Sequence, residues 1–253
     1  MTTLAARDLI VDMGGQRLLD GIDLELCPGV VTLLAGRNGS GKTTLLNVLT
    51  GLRRPESGTV LLDDRECGSI TPRDRAQKIT MIPQDSDSPF EFTGRELVMM
   101  GRHPHIPRFG TPGPRDYEVV ERALQLADAE EFADRSTTTL SGGERRRITI
   151  ARAIATEAQV LLADEPTANL DLDHALAALE MFRGLAQDGK TILLVSHDIN
   201  LVAPHCDHAV LLHSRRIRVG PPEQVLSAET MREVFAVRSS PPETYFPRSF
   251  SKL

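Results

Sequence analysis

Short, unbroken apolar runs alternate with segments of helical period along much of this chain. Val30–Ala35, Val160–Ala163 and Thr191–Val195 are rich in Val, Ile and Leu, and each leads into a polar turn and then a helical pattern. Continuous apolar strands interleaved with helices predict a parallel sheet covered on both faces. The first run feeds a Gly-rich turn and a helix over about Lys42–Leu49. The second feeds a turn and a helix over about Leu172–Gln187, on which Leu172, Leu176, Leu179 and Phe182 recur at steps of three and four as one buried face. Asp188-Gly189 stops that helix before the third run.

The middle of the chain follows a different pattern. Residues 85 to 157 contain no apolar run of strand type, while Tyr117–Phe132 and Glu144–Thr156 read as helices. The stretch His103–Pro114 holds four prolines and two glycines and is expected to be loop. The pattern predicts a single domain: an α/β core from residues 1–84 and 157–228, a helical insertion at 85–156, and a C-terminal tail at 229–253. From Ser239 onward that tail is Pro- and Ser-rich and is expected to be loosely held.

Composition narrows the partners. With 40% hydrophobic residues, 4% aromatics and no Trp, the core must rest on Leu, Ile, Val and Ala. A formal charge of −6 argues against nucleic acid as the dedicated partner. Cys27, Cys67 and Cys206 are odd in number and lack paired spacing, which fits a reduced setting better than a disulfide framework. Arg7 and Asp8 interrupt the start of the chain, so no secretory leader is expected. No apolar run approaches the roughly 18 residues a membrane helix needs. A membrane role therefore has to come through a partner.

The candidate chemistry begins at Gly36-Arg37-Asn38-Gly39-Ser40-Gly41-Lys42-Thr43, which matches the phosphate-loop pattern G-x-x-x-x-G-K-[ST] between a buried strand and a helix. Glycines let backbone N–H groups turn inward around phosphates, and the helix N-terminus adds the positive end of a dipole. Lys42 would reach the β- and γ-phosphates of a bound nucleotide, and the Thr43 hydroxyl would ligate Mg²⁺. Val160–Ala163 ends in Asp164-Glu165, where Asp164 suits Mg²⁺ and Glu165 is placed to polarise an attacking water. Alone, a strand ending in Asp-Glu equally suits a helix cap and a solvated turn; beside the phosphate loop it becomes the second half of a nucleotide site.

Leu140-Ser141-Gly142-Gly143-Glu144 reads structurally as a capping box, with Ser141 and Glu144 three apart at the start of a helix. Upstream of the Asp-Glu strand it also resembles the signature of the ABC ATPase family, Leu-Ser-Gly-Gly-Gln, and the resemblance runs from about Leu4 to Val237. It implies an ABC ATPase fold: a parallel-sheet RecA-like core, an N-terminal antiparallel β portion and an inserted helical subdomain. It implies ATP as substrate with Mg²⁺, and extends the phosphate contacts to Thr44. Gln84, in Met81-Ile-Pro-Gln84, becomes the glutamine sensing Mg²⁺ and the γ-phosphate. Asp171, in Ala168-Asn-Leu-Asp171, becomes the residue communicating across a dimer. His197, in Val195-Ser-His197-Asp198, becomes the γ-phosphate contact. Two copies would pair head to tail, with each ATP between one phosphate loop and the other copy's Ser141–Glu144 segment. The resemblance further implies a homodimer docked on membrane permease subunits at the cytoplasmic face, supplied indirectly by an extracytoplasmic binding protein.

One position departs from the family. Where an aromatic residue usually lies under adenine, this chain offers Met13, ahead of Gly14-Gly15; a thioether can pack on a purine face but does not stack like an aromatic ring. Arg145-Arg146-Arg147 is read as a helix face with subdomain packing, and His205-Cys206-Asp207-His208 as a turn rather than a metal site. Soluble ABC ATPases of repair or translation carry paired cassettes or a long coiled coil; this chain has one cassette and no heptad array after Gln84, so transport is expected. Val98-Met-Met-Gly101-Arg102-His103-Pro104-His105 resembles a stretch of importers of iron chelates, haem and cobalamin, as does Met231–Val237. An importer of another cargo, such as a metal ion, is the alternative.

Overall fold

The computed structural model describes residues 2–84 and 91–235. Ala236 and Val237 of the C-terminal resemblance, and the Pro- and Ser-rich tail, lie outside the described residues.

An antiparallel hairpin of β1 (Leu4–Met13) and β2 (Gln16–Leu26) opens the chain, turning at Gly14-Gly15. Then come β3 (Val31–Gly36), α1 (Lys42–Leu49), β4 (Ser57–Leu62), the two-residue β5 (Arg65–Glu66), α2 (Pro72–Ala76) and β6 (Ile79–Ile82). The middle carries α3 (Gly94–Met99), α4 (Pro114–Leu126) and α5 (Gly142–Ala155). The chain continues through β7 (Val160–Asp164), α6 (Leu172–Gln187), β8 (Thr191–Val195), α7 (Ile199–Val202), β9 (His208–His213), β10 (Arg216–Gly220), α8 (Pro222–Val225) and α9 (Ala228–Phe235).

Two sheets result. One is antiparallel, in the order β2-β1-β4-β5. The other runs β10-β9-β3-β8-β7-β6, parallel throughout except for the edge strand β10. Side chains alternate across a strand, so each strand of the parallel sheet serves two cores. Leu33, Leu161 and Ile192 face a cluster shared with α3, α4, α5 and α6. Leu34, Leu162 and Leu193 face a second cluster shared with the antiparallel sheet and α1. Burial on both faces is why these strands read as unbroken apolar runs.

The strand register brings several loops to one edge. Val195 pairs with Asp164, Ala163 with Ile82, and Leu34 with Val195. The residues just beyond these positions therefore emerge together at the carboxyl ends of the strands, the edge where open α/β sheets bind ligands.

Between β6 and β7 the described residues hold helices and turns with no named strand. Three details differ from the sequence reading. The helix expected at Tyr117–Phe132 begins earlier, because Pro114 suits its first turn and Asp116 accepts from Gly113 N at 2.9 Å. It ends at Leu126, broken by the left-handed backbone of Asp128 (φ 51°), and Glu130–Phe132 is a separate 3-10 turn. Leu172 is 59% exposed and Leu176 only half-buried, so the buried residues of α6 are Ala175, Leu179, Phe182, Leu185 and Ala186. Finally, α3 went unread; its start is a capping box of Thr93 and Glu96. Among the described residues no helix is long and apolar enough to cross a membrane.

Candidate active site

The loop after β3 wraps around the start of α1. Gly41 caps that helix with φ at 107°, and a Cβ there would lie 3.1 Å from Leu18 Cγ, so the turn suits glycine alone. Lys42 is largely buried, and its Nζ donates to the carbonyls of Gly36 at 2.8 Å and Arg37 at 3.1 Å. Burial lowers its pKa, opposed by the nearby charges of Glu165 and Asp164. One residue on, Thr43 Oγ1 donates to Asp164 Oδ2 at 2.8 Å.

Asp164 ends β7, Glu165 follows it, and both are buried. Burial raises the Asp164 pKa, while the Thr43 hydrogen bond and the Lys42 charge oppose it. Glu165 stands in left-handed backbone (φ 52°), a conformation uncommon for non-glycine residues that turns its side chain away from the strand line. Its Oε2 lies 2.8 Å from His197 Nδ1 and accepts from His197 N at 3.3 Å. A carboxylate only accepts, so this contact puts the hydrogen of a neutral His197 ring on Nδ1. Met13, Asn38, Gly39, Gly41, Lys42, Thr43, Thr44, Gln84, Asp164, Glu165 and His197 line one cleft of about 600 Å³. Of the phosphate-loop residues, Gly36, Arg37 and Ser40 complete the loop without lining that cleft.

Ser141, Gly142, Gly143 and Glu144 are not in that cleft. They line a second one with Asp171, Asn169 and His174. Ser141 caps α5, its Oγ accepting from Glu144 N at 3.3 Å while Glu144 Oε2 accepts from Ser141 N at 2.7 Å. That backbone bond, with the Arg135 guanidinium, holds the Glu144 pKa below its usual range. Asp171 caps α6, and its hydrogen bonds from the His174 side chain and backbone depress its carboxyl likewise.

The subdomain packing expected of the Arg145–Arg147 run is made by Arg146, whose place beside the site sequence reasoning did not single out. Arg146 is 3% exposed and, among the described residues, donates to four main-chain oxygens: Nε to Pro166 at 3.1 Å, Nη1 to Pro83 at 2.6 Å and Gln84 at 3.4 Å, and Nη2 to Asp164 at 2.6 Å. A signal was present, because Arg146 falls four and seven residues before Ile150 and Ala153 on the buried side of α5.

Residues 19–168 match the family model described as ABC transporter. Among curated relatives, the chain is 41% identical over 93% of its length to a cobalamin import ATP-binding protein of Halobacterium salinarum, spanning 59% of that relative. It is 40% identical to a hemin import ATP-binding protein of Pseudomonas aeruginosa over 92% of both chains. An achromobactin transport ATP-binding protein of Dickeya dadantii is 35% identical over 93% of this chain and 88% of its own. Among solved structures, an ABC transporter described as of metal-chelate type, in an inward-facing conformation, superposes with a TM-score of 0.82 at 32% identity, covering 93% of this chain and 90% of the other. A dimeric bacterial ABC transporter cassette gives 0.77 at 27% identity, covering 87% and 98%. Matched over so much of its length by proteins of one kind, the chain belongs to the ABC transporter family.

Proposed function

We propose that this chain is the ATP-binding and ATP-hydrolysing subunit of an ABC importer, working as a homodimer on separate permease subunits at the cytoplasmic face of the membrane. The observation that carries the ATPase reading is the convergence of Lys42, Thr43, Asp164, Glu165 and His197 on one cleft at the carboxyl edge of the sheet. Lys42 would meet the β- and γ-phosphates, exchanging loop carbonyls for phosphate oxygens. Asn38, Gly39, Gly41 and Thr44, with the rest of the loop, would cradle the phosphate chain. Glu165 would take the proton of a water attacking the γ-phosphorus, as the bond to the β-phosphate oxygen breaks to release ADP and phosphate. His197 holds Oε2 of Glu165 and would sit beside the γ-phosphate. Met13, on the rim, would lie under adenine.

Thr43 Oγ1, Asp164 Oδ2 and the side chain of Gln84 form a set of hard oxygen donors in the same cleft, which fits Mg²⁺. When bound, that ion supplies positive charge to the phosphate oxygens. The role of Gln84 is then to register its presence beside the γ-phosphate.

Ser141–Glu144 lines a cleft apart from the phosphate loop, which supports a site completed by a second copy, with Asp171 beside that segment signalling between the two. A groove of about 430 Å³ between core and helical parts, lined in part by Leu52, Met81, Met100, Gly101, Pro104 and Arg152, supports permease docking. Gly101 is needed for the close packing there, since a Cβ would stand 2.3 Å from the Arg152 carbonyl.

The cargo we propose is an iron chelate, haem or cobalamin, delivered by an extracytoplasmic binding protein. Support comes from the relatives, which carry hemin, cobalamin and achromobactin in their names, and from the Val98–His105 stretch. The test is reconstitution with the co-purifying permease. ATP turnover should rise when binding protein loaded with such a chelate is added; stimulation by a sugar or amino-acid binding protein instead would overturn the cargo reading.

A further inference from the structure

Arg146 is a buried cation beside the cleft that the hydrolysis scheme leaves without a task. Its position in the fold suggests one. Pro83 and Gln84 follow β6, Asp164 ends the neighbouring β7, and Pro166 opens the turn after Glu165. Here the two strands lose their ladder, so their carbonyl oxygens need donors from elsewhere. The Arg146 guanidinium supplies them from the first turns of α5, the helix capped by Ser141. A planar fork of five N–H groups can hold four oxygens on two segments at once; the single ammonium of a lysine cannot reproduce that arrangement.

Among the described residues, both segments the fork holds carry groups of the proposed reaction. Gln84 is held through its own carbonyl, Asp164 through its own, and Glu165 by the carbonyls on either side of it. The fork is anchored on the helix whose N-terminal Ser141–Glu144 segment faces the second cleft. We propose that Arg146 is a positioning residue for ATP hydrolysis: it locks the backbone of Gln84, Asp164 and Glu165 to the helix that bears Ser141. Engagement of Ser141–Glu144 by the partner copy's nucleotide then aligns the water-activating carboxylate and the glutamine in one rigid movement. This inference rests on the reading of the cleft as an ATPase site.

The test compares Arg146→Met, Arg146→Lys and, as a control, Arg102→Ala. Arg102 is a buried cation that binds Asp116, Glu157 and the Ala155 carbonyl, away from the cleft. Each protein is measured for kcat and KM with Mg-ATP, for ATP affinity in EDTA where no turnover occurs, and for amide exchange across residues 79–84 and 160–168. Misplacing a reacting group by about 1 Å can cost on the order of 10²-fold in rate, so kcat of Arg146→Met should fall by about that factor. Its ATP affinity in EDTA should stay within about threefold of the parent, because the loop contacts through Lys42 are intact. Exchange across both segments should speed up. Arg146→Lys keeps the charge without the fork and should recover only part of kcat; it also carries the test if the Met variant does not fold. Arg102→Ala should lose stability yet keep the parent kcat per nucleotide-binding site.

The inference is overturned if kcat of Arg146→Met stays within about twofold of the parent, or if Lys restores it fully. It is also overturned if kcat falls only in step with lost nucleotide affinity, or if Arg102→Ala lowers it equally. A parent chain without Mg-ATP turnover overturns the ATPase reading itself, and this inference with it.

Discussion

Replacing Glu165 by Gln tests the water-activating role with little disturbance of shape. The amide keeps the side-chain length, and its oxygen can still accept from the His197 backbone N–H, the 3.3 Å contact made by Oε2. What disappears is the ability to take up a proton. A positioned general base contributes about 10²–10⁴ in rate. At about 1.36 kcal/mol per decade, the barrier rises by about 2.7–5.4 kcal/mol. Phosphate release at saturating Mg-ATP should fall by that factor. Equilibrium ATP binding should hold, because Lys42 and the loop backbone are unchanged. With hydrolysis blocked, an ATP-dependent dimer should accumulate on size exclusion. Turnover at the parent rate would leave Glu165 as a bystander, and turnover lost only in proportion to ATP affinity would make it a binding residue.

Met13→Tyr should supply a stacking surface at the cleft rim and tighten adenine-nucleotide binding by about 0.5–1.5 kcal/mol, read by comparing ATP with GTP; no change for either would mean Met13 does not lie under the base. Arg102→Ala breaks a buried ion pair and should cost about 3 kcal/mol in denaturant unfolding. The Asp116 pKa is depressed by the Gly113 backbone bond first and by Arg102 as well. Its contribution to stability is therefore complete above its unfolded value of about 3.9 and is lost as pH falls through the lower folded value, with a shallower loss in the variant.

The positions of the core strands and of the phosphate loop are legible in the sequence because both leave local marks. Strands buried on both faces read as continuous apolar runs, and the loop needs glycines at set spacings. Lys42–Leu49 and Thr191–Val195 were read with their observed bounds for these reasons. The helical insertion was less legible. The end of α4 is set by the left-handed backbone of Asp128, and α3 is six residues long, too short to show a period. A Leu at helical spacing reads as core, but Leu172 stands at the exposed N-terminus of α6 beside the second cleft. The place of Arg146 was legible only in part. In a run of three arginines the helical spacing to Ile150 and Ala153 marks Arg146 as the buried one, but its acceptors on the β6 and β7 ends are distant in sequence and leave no local mark.

The separation of the phosphate loop from Ser141–Glu144 is the feature on which the account turns, and the concentration dependence of ATP turnover tests it most directly. If each active site needs both copies, the hydrolysis rate at saturating Mg-ATP should rise with the square of protein concentration where the monomer dominates. It should become proportional once the dimer is saturated. Specific activity that stays constant down to the lowest concentrations, where sedimentation shows only monomer, would mean that one cleft suffices and would contradict the account.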